Sequence, residues 1–248
     1  MKERWLQNPS EEASSVLKCV QKAKALRQSQ KGKLSTSLEE DHNKGLPFKI
    51  ASNWVLVSLD DIASKIHYGY TSPAVFENTQ IRLLRITDIQ DDKVNWDNVP
   101  GCLIDDDTAP SYLLHRGDLL VARTGGTIGK TFLVKELPQP TVFASYLIRI
   151  VPNECVNPDF LKLFADSPLY WNQLYERCKG AGQPNVNATS LKALKIPLPP
   201  LPEQQRIVEI LDNAFDGIAA AKTKTERKLE ALDELKKSLL HQVFSGQL

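Results

Sequence analysis

"KIPLPPLPEQQRIVEILDNAFDGIAAAKTKTERKLEALDELKKSLLHQVFSGQL", Lys195–Leu248, decides how this chain is organised. Four prolines (Pro197, Pro199, Pro200, Pro202) halt whatever precedes them. Proline suits a helix start, where its missing N–H would be unpaired anyway. From Glu203 to Phe244 there is no proline and one glycine, Gly217. The run is rich in Ala, Leu, Glu, Lys and Gln, which lose little rotamer freedom in a helix. It predicts a single helix of about 60 Å, longer than a compact core needs. Such a rod serves as a spacer or a pairing surface.

The spacing of its apolar residues favours pairing. Leu211, Ile218, Thr225, Leu232 and Leu239 share one heptad position. Ile207, Ala214, Ala221 and Leu235 share the other, with Lys228 as the exception. Charged residues fill the remaining faces, as in a coiled-coil seam. The expected dimerisation residues are therefore Ile207, Leu211, Ala214, Ile218, Ala221, Leu232, Leu235 and Leu239. Packing of one amphipathic helix on its own domain would give a similar pattern.

The 248 residues allow one domain with extensions. Hydrophobic content of 42% and charged content of 25% are those of an ordinary globular protein. No apolar run is long enough to span a bilayer. The polar, charged start Met1–Ser15 predicts no signal peptide, and a cytoplasmic location follows. Cys19, Cys102, Cys155 and Cys178 are scattered, with no C-x-x-C pair, and read as ordinary thiols. The net charge of +1 announces no nucleic-acid partner. Residues 50–202 hold fourteen Lys/Arg against sixteen Asp/Glu, so any DNA contact there rests on a local patch.

Three parts are expected: an N-terminal helix and polar linker over 1–45, a globular domain over 46–199, and the long helix over 200–248. Ser10, followed by Glu11 and Glu12, reads as an N-cap. Val16, Leu17, Val20, Ala23 and Leu26 continue an amphipathic helix to about Ser29. Lys31–Gly45 has no apolar period and reads as linker. The middle is mixed α/β, with strands first and helices late. "WVLVSLDDIA" is a strand entering a helical turn. "QIRLLRITDI" alternates, with Ile81 and Leu83 inward and Arg82 and Leu84 on the other side. "GDLLVARTGGTIGKTFLVKE" is strand, glycine turn, strand, and "TVFASYLIRIVP" is a further β run. "NPDFLKLFADSPLYWNQLYERCK" is helix, turn, helix.

"TGGTIGKT" is not a phosphate-binding loop. With Gly129-Lys130-Thr131 as its end, the first glycine position holds Thr124, and Gly125 comes one place late. "FLVKE" then continues as strand, which leaves no helix N-terminus for phosphates. A glycine hairpin carrying Arg123, Thr124 and Lys130 at its tip is the better reading. "NPDF", Asn157–Phe160, opens a helix and lacks the parts of an amino-methyltransferase. The four histidines (His42, His67, His115, His241) form no metal spacing, and no nucleophile elbow is present. "CKGAGQPNVN" has contact chemistry: Lys179 for phosphate, and Gln183, Asn185 and Asn187 for base edges. "IHYGYTS" offers Tyr68, Tyr70 and Thr71. Each loop is equally readable as self-capped polar surface.

Seven stretches carry a resemblance. They are "WVLVSLDDIA", "YGYTS", "LLRITDI", "GDLLVARTGGTIGKT", "GAGQPNVN", "LKIPLPPLPEQQRIVEILD" and "LLHQVFSGQL". In this order the chain resembles a specificity subunit of type I restriction-modification systems, over Trp54 to the C-terminus. The resemblance implies a target recognition domain followed by a long conserved helix. Family members usually carry two of each, with the helices antiparallel, whereas this chain carries one. A half-length subunit acting as a homodimer is therefore expected.

The resemblance further implies binding to double-stranded DNA without catalysis. S-adenosylmethionine and ATP would be used by partner methyltransferase and restriction subunits, and this chain would hold no cofactor or metal. The expected DNA-contacting residues are Tyr68, Tyr70, Thr71, Arg123, Thr124, Lys130, Lys179, Gln183, Asn185 and Asn187. A stretch similar to Leu6–Gln28 tends to follow the "FSGQL" ending in relatives, so Trp5–Gln28 is expected near Phe244–Leu248 of a second copy. The alternative is a coiled-coil adaptor whose globular head binds protein.

Overall fold

The computed structural model describes residues 9–29, 48–76, 79–178 and 185–246. The chain divides into two compact units, residues 1–205 and 206–248. The first is mixed α/β and contains the N-terminal helix; the second is long-helix alone.

Helix α1 spans Pro9–Ser29, one residue ahead of the expected cap, so Ser10 lies inside the first turn. Val16 and Val20 are buried against the domain, and Lys24 pairs with Asp61 at 2.7 Å. Strand β1, Val55–Ser58, runs straight into α2, Leu59–Ile62. The Asp61 carboxylate accepts the Ser58 N–H at 2.9 Å, closing this turn. The expected linker lies outside the described residues.

Strand β2 is Ala63–Tyr68 and β3 is Arg82–Leu84. Strands β4, Ile89–Gln90, and β5, Lys93–Val94, form a tight hairpin. Its two central residues, Asp91 and Asp92, have φ of 50° and 58°. Short polar side chains tolerate that left-handed conformation, which matches the twist of a two-residue hairpin. Strands β6, Leu119–Ala122, and β7, Thr131–Leu133, flank the glycine loop, followed by β8, Thr141–Phe143, and β9, Leu147–Pro152. The main sheet is antiparallel with order β2-β9-β6-β7.

Strand β3 pairs parallel with β8 and differs from expectation. Leu83 and Leu84 are both buried, because β3 is covered on both faces. Leu84 and Phe143 enter the core with Leu120, Phe132 and Leu147. Leu83 and Val142 enter a second cluster with Cys102 and Ala144. A strand packed on two sides loses its polar alternation.

Helices α3, Pro158–Asp166, and α4, Pro168–Cys178, follow, then α5, Ala188–Lys192. Asn157 caps α3 by accepting from the N–H groups of Asp159 and Phe160, with Pro158 in the first turn. Strand β10, Lys195–Leu198, returns to pair antiparallel with β1 and closes the domain.

Helix α6 spans Leu201–Phe244, 44 residues and about 66 Å at the usual rise. Its first turn belongs to the domain. Gln204 is fully buried there and fully engaged. Its Oε1 accepts the Asn157 N–H at 2.7 Å, and its Nε2 donates to the Cys155 and Pro199 carbonyls at 3.1 and 2.8 Å.

The reading of all cysteines as separate thiols needs correction. Cys19 and Cys155, 136 residues apart, are joined by a disulfide with Cα atoms 5.9 Å apart. No local spacing forecasts this, because docking of α1 on the 153–156 turn creates the pair. Cys102 is a free, buried thiol.

Candidate nucleic-acid interface

The register of the main sheet gathers loops at one end. Tyr68 pairs with Ile148, Ala122 with Leu147, and Val121 with Thr131. The end of β2, the start of β9, the end of β6 and the start of β7 therefore stand side by side. Adjacent strands lie about 4.8 Å apart, so four chain segments span about 15 Å.

Arg123 is the centre of this end. Its guanidinium lies over the Tyr68 ring, 4.9 Å from the centroid. Its Nε donates to Asn185 Oδ1 at 3.3 Å. Its backbone N–H donates to the Tyr146 carbonyl at 2.9 Å, and its carbonyl accepts the Val186 N–H at 3.0 Å. The Tyr68 hydroxyl accepts the Ala188 N–H at 3.1 Å. A strand end and two loops far apart in sequence thus meet around one guanidinium.

The glycine loop between β6 and β7 is a hairpin tip, as expected. The Gly129 N–H donates to the Ala122 carbonyl and the Ala122 N–H to the Lys130 carbonyl, both at 2.8 Å. Gly129 has φ of +79°, and a Cβ there would sit 2.5 Å from Leu174 Cδ2. Its carbonyl accepts the Tyr170 hydroxyl at 2.8 Å, which fixes the hairpin to α4. Lys130 is exposed, and Arg123 and Thr124 are half-buried. At Gly69 a Cβ would strike the carbonyl oxygens of Phe143 and Ala144, so only glycine lets the end of β2 approach this closely.

The other expected residues are placed as follows. Tyr70 is half-buried with its ring 5.3 Å from that of Tyr112, and Thr71 beyond it is exposed. Asn187 caps α5, its Oδ1 accepting the Ser190 N–H at 2.8 Å. Lys179 and Gln183 lie outside the described residues. Tyr146 was missed by sequence reasoning. It is 61% exposed in the turn between β8 and β9. An aromatic in the polar break of "TVFASYLIRI" was its available signal.

A buried ion pair crosses the sheet below this end. Arg149, on the central strand β9, meets the Asp118 carboxylate at 2.7 Å and donates to the Leu113 carbonyl at 2.8 Å. The Nη2 that meets Asp118 also lies 2.9 Å from His115 Nδ1. Beside Arg149 on β2, burial holds the His67 imidazole down to about 4, with the charges of Lys65 and Arg149 acting the same way. Among the described residues no His/Cys/Asp/Glu group has the makings of a metal site. Among them, too, no helix is long and apolar enough to cross a membrane.

The model of the type I restriction modification DNA specificity domain matches residues 51–231. The chain belongs to this family. Among curated members, the type I restriction enzyme MjaVIII specificity subunit of Methanocaldococcus jannaschii is 24% identical over 206 residues, 81% of this chain and 47% of that one. The type I restriction enzyme EcoBI specificity subunit of Escherichia coli is 25% identical over 217 residues, 87% of this chain and 45% of that one. This specificity-domain chain thus spans about half the length of the curated relatives it matches.

Solved structures share the fold. A chain from a type I R-M system, solved in work on complex assembly and conformational transition, superposes with a TM-score of 0.61 at 19% identity. The match covers 94% of this chain and 54% of that one. The HsdS subunit from Thermoanaerobacter tengcongensis gives 0.52 at 19% identity, covering 85% and 47%.

The long helix of this family member exposes a broader apolar stripe than the two-position seam. Ile218, Leu232, Leu235 and Leu239 of the seam are exposed, and Phe215, Leu229, Leu240 and Val243 add further exposed apolar surface. A straight helix drifts from a strict seven-residue repeat, which widens the stripe. The Thr225 hydroxyl donates to the Ala221 carbonyl at 2.9 Å, so this polar seam residue is satisfied within its own helix.

Proposed function

We propose that this chain is a sequence-reading subunit of a type I restriction-modification assembly and binds double-stranded DNA without catalysing a reaction. The observation that carries the reading is the convergence of Tyr68, Arg123, Asn185 and the Lys130 hairpin at one end of the sheet. Tyr68 and Asn185 hold Arg123 in place, and a guanidinium set in this way suits bidentate contact with guanine O6 and N7. Lys130 suits a phosphate.

Two copies pair through α6 into a homodimer. Leu232, Leu235 and Leu239 are large exposed apolar residues on the helix, and pairing removes them from water. An antiparallel pair brings the partner's last turn to the first turn of α6, beside α1. A two-fold protein reads an inverted repeat with a fixed spacer. Methyltransferase and restriction subunits dock on this frame and use S-adenosylmethionine and ATP, all in the cytoplasm. The slightly acidic domain gives modest DNA affinity by itself, and the partner subunits supply most phosphate contacts.

Sedimentation of the purified chain and gel shift with its methyltransferase on a duplex panel test the reading. A dimer and a target preference are expected. Leu232→Asp or Leu235→Asp should yield a monomer, since each places an unpaired charge in the seam. A chain that captures protein and ignores duplex sequence is an adaptor instead.

A further inference from the structure

Two tyrosines stand at the reading end, and their surroundings divide their work. Tyr68 is occupied: its ring face carries the Arg123 guanidinium at 4.9 Å, and its hydroxyl accepts the Ala188 N–H at 3.1 Å. Tyr146 sits one strand over, immediately before β9 and between Tyr68 and Arg123 in the row of strand ends. Its backbone is held on both sides, since its carbonyl accepts the Arg123 N–H at 2.9 Å and the Ser145 N–H donates to the Tyr70 carbonyl at 3.0 Å. The residue is 61% exposed, and among the described residues no hydrogen bond involves its hydroxyl. A tyrosine whose backbone is held at the sheet end and whose side chain is largely exposed is suited to an anionic, partly apolar surface. Tyrosine hydroxyls are among the groups that contact DNA phosphates, and such contacts position without reading sequence.

We infer that Tyr146 is a DNA-contacting residue whose hydroxyl donates to a backbone phosphate, and that Tyr68 is a positioning residue that seats Arg123 without itself reading DNA. This rests on the DNA-binding function proposed above and assigns its parts.

The test is anisotropy with the full chain assembled with its methyltransferase, on the target duplex and on duplexes carrying single base-pair changes. Tyr146→Phe removes only the hydroxyl and should weaken every duplex alike, by about tenfold. Tyr68→Ala should leave non-target duplexes nearly unchanged and lose preference at one base pair. Tyr68→Phe keeps the ring under Arg123 and should restore that preference. In an Arg123→Ala background, Tyr68→Ala should add no further loss of preference.

Unchanged binding by Tyr146→Phe overturns the hydroxyl–phosphate assignment, whatever Tyr146→Ala does. So does a Tyr146→Ala variant that loses the methyltransferase, because the ring then faces protein. A uniform loss for Tyr68→Ala overturns its positioning role. A wild-type complex without any target preference overturns the proposed function itself, a distinguishable result.

Discussion

Arg123 lies with its guanidinium carbon 4.9 Å from the centre of the Tyr68 ring, Tyr68 ending β2 and Arg123 following β6, two strands separated by β9. Replacing Arg123 by Lys keeps the charge and loses both the planar fork and the stacking. Discrimination at one base pair of the target should fall by about 1–3 kcal/mol. Competition between target and single-substituted duplexes measures this, and an equal loss on all duplexes would contradict base reading by Arg123.

Gln204 should matter for stability more than a residue in the first turn of a long helix usually does. Gln204→Leu leaves the Asn157 N–H and the Cys155 and Pro199 carbonyls without their buried partner. Each buried group left unpaired costs about 1–3 kcal/mol. Chemical denaturation should show a clearly lowered midpoint; a midpoint equal to wild type would mean that water replaces the amide at no cost.

The Arg149–Asp118 pair is buried on both sides, at 5% and 2% exposure. Arg149→Met strands a buried carboxylate and should destabilise the domain by about 3–5 kcal/mol. Adding Asp118→Asn removes that charge while an amide oxygen remains for the His115 N–H, and should recover part of the loss. A double variant worse than the single one would show that the charge was not the cause.

His67 predicts a pH dependence with a definite sign. Its folded value, about 4, lies below the ordinary 6.5 of an unfolded chain. The unfolded state therefore binds the extra proton in this window, so stability is full above the ordinary value and falls as pH drops towards the folded one. Denaturation at several pH values should show His67→Phe losing less stability on acidification than wild type. Identical pH profiles would locate the titration elsewhere.

Much of this architecture is legible from local pattern. The proline brake and the polar-apolar period announce α6, and the glycine spacing announces the β6–β7 hairpin. What stays hidden is long-range. Leu83 and Leu84 are both buried only because β3 has a core cluster on each face. Cys19 meets Cys155 only because α1 docks across the chain.

The site divides in the same way. Arg123 and Asn185 were recognisable as contact chemistry, but their hydrogen bond depends on sheet register. Tyr146 looks like one more residue of a β run until the turn exposes it. Gln204 stands out in sequence only as half of a Gln-Gln pair, and its role appears once α3 and β10 bring the three backbone partners around it.

The central claim is that two identical reading heads are held a fixed distance apart. Mapping methylated sites in DNA exposed to this chain with its methyltransferase tests it most directly. The account predicts one inverted repeat, both halves alike, with a spacer of constant length. Modified sites of a single unpaired half, two unlike halves, or a spacer that varies would contradict it.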